Sequence, residues 1–65
     1  MTLKYAVIAE NLEGEKVDLV YADMTYAPCM ACIKQITKQD LSDQQAESGF
    51  VVAELKYRLV KLKTS

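Results

Sequence analysis

The sequence predicts an α+β domain of order ββαα: an antiparallel β-hairpin, a short helix and a long C-terminal helix. Three observations predict it. Residues 3–9 and 16–22 are rich in β-branched and aromatic side chains and are separated by turn formers. Residues 29–36 carry an apolar stripe at helical spacing. Residues 42–63 open on a helix-capping sequence and close on basic residues.

In the first run, Leu3, Tyr5 and Val7 fall on one side of a strand. Residues 10–15 are polar and acidic, with Asn11 and Gly14 as turn formers, and predict a long acidic loop. In the second run Val17, Leu19 and Tyr21 lie on one side, Asp18 and Val20 on the other. Tyr5 and Tyr21 are expected on the face that meets the helices. A lone hairpin is not stable in water, so a helix must pack against it.

Pro28 supplies the fixed φ that suits a first helical turn. Cys29, Cys32, Ile33 and Ile36 then follow on one face, which predicts a short amphipathic helix over residues 28–37. Further on, Ser42 with Gln45 is a capping-box pair, and Leu41 stands where a hydrophobic staple belongs. Asp43 and Glu47 near the start, with Arg58, Lys61 and Lys63 near the end, complement a helix dipole. Ala, Glu, Leu, Lys and Arg dominate residues 53–63 and favour a helix. Wound as a helix, this stretch is apolar on two opposite sides and leaves surface that the shorter elements do not cover. Two features support an alternative, ββα(α)β, with residues 50–62 as a third antiparallel strand. Gly49 can end a helix, and Val51, Ala53, Leu55, Tyr57 and Leu59 alternate with polar residues.

The 65 residues suit one small α+β domain, and 51% hydrophobic content is enough for a core. No run approaches the ~18 apolar residues of a membrane helix. The N-terminus lacks the pattern of a signal peptide, so a cytoplasmic location without membrane contact is expected. Net charge is −1, which disfavours nucleic acid as a partner. The charge is nevertheless polarised. Residues 10–23 hold five acids (Glu10, Glu13, Glu15, Asp18, Asp23) and one base, whereas residues 56–63 hold four bases (Lys56, Arg58, Lys61, Lys63) and no acid.

Cys29-Met30-Ala31-Cys32 is the motif with its own chemistry. Core packing accounts for it directly, because cysteine is a small, often buried hydrophobe and both thiols share the stripe of Ile33 and Ile36. A CxxC after a strand and at the start of a helix also resembles the active-site corner of the thioredoxin and glutaredoxin families. That resemblance covers about residues 17–36. It implies Cys29 as attacking thiol and Cys32 as resolving thiol. It lacks the families' preceding parallel βαβ unit and their later proline, since Pro28 is the single proline. Zinc would need four ligands; this chain has no His and two Cys, so a site would require two copies pooling their thiols. No His-based triad or glycine-rich phosphate loop is available. The expectation is therefore no enzyme, no cofactor and no metal.

By elimination the sequence points to a small non-enzymatic protein-binding or regulatory module, of the size of phage or mobile-element inhibitors such as anti-CRISPR proteins. The partner is another protein, or a second copy forming a homodimer. It would be met by leftover helix surface or by the charged residues Glu10, Glu13, Glu15, Asp18, Lys56, Arg58, Lys61 and Lys63. A CxxC redox or redox-sensing protein and a small nucleic-acid-associated regulator are the alternatives.

Overall fold

The first strand dictates the architecture. In a computed structural model that describes residues 3–62, β1 (Tyr5–Glu10) has five of its six residues buried. Such a strand needs a neighbour on each edge. One is β2 (Lys16–Asp23), reached through a tight hairpin. The other is β4 (Leu55–Lys61), from the far end of the chain. With β3 (Phe50–Val52) beside β4, the result is a four-stranded antiparallel sheet in the order β2-β1-β4-β3. Between the two hairpins the chain forms α1 (Tyr26–Thr37) and α2 (Asp43–Ser48). The element order is ββααββ.

The expected long C-terminal helix does not form, and ββαα is not the order of elements. The capping box is present: Gln45 N–H donates to Ser42 Oγ at 3.2 Å, and Ser42 N–H donates to Gln45 Oε1 at 2.9 Å. Leu41 and Ala46, the staple pair, are both buried in the core. The helix that this cap starts ends at Ser48, because Gly49 takes a φ of +106°, which a helix cannot continue. Phe50, Tyr57 and Leu59 then point into the core, as alternation requires. Apolar residues on two opposite sides of a helical wheel are what a period of two looks like when wound at the wrong pitch. A single strand over 50–62 does not form either. Val52 pairs with Leu55 across a two-residue turn in which Ala53 and Glu54 have φ of 49° and 71°, the type I′ signature.

The first hairpin is also tighter than a long loop. Asn11 N–H donates to Glu15 C=O at 2.9 Å, Gly14 N–H donates to Asn11 C=O at 3.0 Å, and Gly14 takes a φ of +89°. The Asn11 side-chain oxygen accepts from the N–H groups of Glu13 and Glu15, both at 3.0 Å. Asn11 thus stiffens the turn as an Asx-type cap.

α1 begins at Tyr26, two residues before Pro28, and ends at Lys38 in the left-handed conformation. It packs across β1, β2 and β4, while α2 packs against β4. Both helices cover one face of the sheet. Val7, Cys29, Met30, Ile33, Leu41, Ala46 and Leu59 form the core between them. Among the described residues no helix is long and apolar enough to cross a membrane.

Among the described residues no helix covers the opposite face of the sheet. The uncovered apolar surface expected on a long helix therefore does not exist, and an open sheet face stands in its place.

Candidate functional site

Register decides which side chains share a face, because paired residues of antiparallel strands project to the same side. Val7 and Leu59 are paired core residues, so their face is the helix side. Ala6, Ile8 and Glu10 of β1 project to the open side, with their β4 partners Val60, Arg58 and Lys56. On β2, Ala22, Leu19 and Lys16 are the open-side partners of the same three residues.

Two register shifts on β2 make this possible. Tyr21 pairs with Val7 but Leu19 pairs with Ile8, leaving Val20 as an extra residue; Asp18 pairs with Ala9 but Lys16 with Glu10, leaving Val17 extra. Bulges of this kind change which side a strand presents. The expected set Val17, Leu19 and Tyr21 on one side is therefore split. Tyr21 takes the helix side, Leu19 takes the open side, and Val20, expected opposite them, packs against the core. Tyr5 also packs against the core, on the helix side where it was expected.

The candidate charged residues do not stay together. Glu10 is buried at 8% exposure and is bound by Arg58 through two contacts, Nε to Oε1 at 3.2 Å and Nη2 to Oε2 at 3.1 Å. It is an internal partner, not an exposed contact. Glu13, Glu15 and Asp18 are exposed on the hairpin. The basic run of the tail is divided by alternation: Lys56 and Arg58 lie on the open face, whereas Lys61 pairs with Tyr5 on the helix side. Lys63 lies outside the described residues.

Sequence reasoning missed Lys16, which flanks Glu10 across β1 from Lys56, and the apolar residues of the hairpin surface. The signal for Lys16 lay in pairing: the residue after the hairpin turn must oppose the one before it.

The cysteine pair is built into the core. Cys29 is fully buried and Cys32 half-buried, both as free thiols on α1. Burial pushes both thiols above their ordinary range, and for Cys29 the charge of Asp23 adds to it. A nucleophilic cysteine needs the opposite shift. Asp23 itself organises the β2–α1 corner. It accepts from Tyr21 Oη at 2.8 Å and from Thr25 N–H at 3.2 Å, and these bonds lower its pKa.

A cleft of about 590 Å³ lies at the end of the sheet, lined by Tyr5, Tyr26, Glu47, Leu59 and Lys61 among others. The Tyr5 and Tyr26 rings meet edge to face at 5.4 Å, and Tyr26 Oη donates to Glu47 Oε2 at 3.3 Å. Burial, then the charges of Asp43 and Glu47, push the Tyr26 hydroxyl up to about 12. Tyr26 thus keeps its proton at neutral pH and serves as a hydrogen-bond donor. The chain matches no protein-family model, no curated protein and no solved structure.

Proposed function

We propose that this protein is a non-enzymatic protein-binding module that docks through its β1–β2 hairpin, as a small inhibitor would when it covers a basic site on its target. One observation carries the reading. Of the seven exposed large apolar side chains among the described residues, six (Leu3, Leu12, Val17, Leu19, Tyr21 and Met24) belong to this hairpin or its flanks. They are interspersed with Glu13, Glu15 and Asp18, all exposed. Leu12 and Val17 stand at the turn end beside these carboxylates, while Leu19 and Tyr21 project to opposite sides of β2. Exposed apolar side chains at the turn would form the contact, and the carboxylates around them would steer a basic partner and set its register. The edge strand also carries bulges and charge, devices that blunt indiscriminate strand pairing.

The test is recovery of a partner from the native host, comparing the wild-type chain with Leu12→Ser/Val17→Ser and with Glu13→Lys/Glu15→Lys. Specific loss of one protein with both variants supports the reading. Equal recovery by all three removes the hairpin from it.

A further inference from the structure

We propose that the open face of the sheet is a second docking surface, fitted to an acidic protein segment that carries two carboxylates about 10 Å apart around an apolar side chain. It goes beyond the hairpin reading, since the charge is of the other sign.

The strands divide most of their charges by face, with Lys61 the base on the helix side. Lys16, Lys56 and Arg58 project to the open side, and Glu10 is the acid among them. Lys4 continues the alternation one residue before β1, where its carbonyl accepts from Leu62 N–H at 2.7 Å. Asp18 and Asp23 project to the helix side with their partners Ala9 and Tyr5. Glu10 is taken up by Arg58. Its two cross-strand neighbours, Lys16 and Lys56, are in no ion pair among the described residues. They stand two strand spacings apart, about 10 Å at the backbone. That separation matches residues about two turns apart on one face of a helix.

Between them lies Glu10, 8% exposed and held by Arg58; beside that row, along β1, the face is apolar and close to flush. Ile8 is 6% exposed and Ala6 is fully buried, with Leu19 and Val51 standing higher at the two margins. The stem of Lys56 lies over Gly49, where a Cβ would come within 2.4 Å of Lys56 Cε. Gly49 therefore leaves room for the Lys56 chain to lie towards the β3 edge.

Other occupants fit less well. A second copy would set one cationic face against another, which like charge disfavours. Nucleic acid binding to a sheet uses rings for bases to stack on. Here Tyr5, Tyr21, Tyr57 and Phe50 take the helix side and Tyr26 is on α1. An anionic membrane would favour protruding aromatic or long apolar anchors, and the centre of this face has none.

The test is an amide and methyl NMR titration of the full chain. The probe is a helical peptide of about 16 residues with two Glu about two turns apart flanking Leu, and its Gln counterpart. Oligothymidine and phosphatidylserine vesicles are the other arms. The expected result is saturable shifts at Ala6, Ile8, Leu19 and Val60 with the Glu peptide. Affinity should fall about tenfold or more with the Gln peptide, and likewise in Lys16→Gln/Lys56→Gln, a variant chosen because it adds no charge beside Glu10. Glu13→Lys/Glu15→Lys should leave this binding intact, which separates it from the hairpin reading. Equal binding of the Glu and Gln peptides, shifts confined to the helix side, or preference for oligothymidine or vesicles would overturn it.

Discussion

Arg58 on β4 holds Glu10 on β1 in a two-point grip, diagonally across one strand spacing, with contacts of 3.2 and 3.1 Å. The pair ties the last strand to the first, 48 residues apart in sequence, and neutralises a carboxylate that is 8% exposed. Removing one partner leaves a buried charge without its complement.

Arg58→Ala is therefore expected to cost about 1–3 kcal/mol, less than a fully buried pair would because Arg58 is one-third exposed. Glu10→Leu/Arg58→Leu should recover most of that loss, since replacing both members with apolar side chains removes the desolvation cost. Urea unfolding of the two variants and the wild type measures it. A double variant as unstable as Arg58→Ala would contradict the account.

The β3–β4 turn is built from residues that resist it. Ala53 and Glu54 both occupy positive φ, where a Cβ is strained. Ala53→Asn/Glu54→Gly supplies the residues that a type I′ turn favours and should stabilise the protein by about 1–2 kcal/mol. Thermal unfolding checks this, with an upward shift in midpoint as the expected outcome. Gly49→Ala should do the reverse, because the new methyl meets the Lys56 stem at a φ of +106°.

These two sites explain what was legible in the sequence and what was not. The α+β content, the first hairpin, the helix after Pro28 and the Ser42 cap could all be read locally. The second hairpin could not. Its turn is Ala-Glu, not Asn-Gly, so nothing marked a break between Val52 and Leu55. The residues around it are good helix formers whose pairing partners lie in β1, far away in sequence. The usable clue was β1 itself: Tyr5-Ala-Val-Ile-Ala9 is apolar on both sides, which demands a central position and hence a further strand. At the candidate surfaces, individual charges could be named but their faces could not. The bulges at Val17 and Val20 and the Glu10–Arg58 pair are products of register, which composition does not contain.

The cysteines should behave as packed side chains. Cys32 is expected to react with a disulfide reagent before Cys29, and both more slowly than an unhindered thiol at neutral pH, because burial raises both. Cys29→Ala should cost about 1–3 kcal/mol by opening space in the core, while leaving the fold intact. Rapid modification of Cys29 at neutral pH would restore the redox alternative.

Alkaline titration reports on the cleft. The Tyr26 hydroxyl titrates near 12 in the folded chain, against 10.0 for an unperturbed tyrosine. Between those values the folded state holds a proton that the unfolded state has released. The stability that protonated Tyr26 contributes is complete below pH 10 and is lost as the pH rises towards 12. Tyr26→Phe removes this group, so its stability should fall less steeply than that of the wild type between pH 10 and 12. Absorbance titration of the tyrosines should lose its highest step in the same variant. Parallel stability curves for the two proteins across that window would show that Tyr26 is not held protonated by burial and by the carboxylates of Asp43 and Glu47.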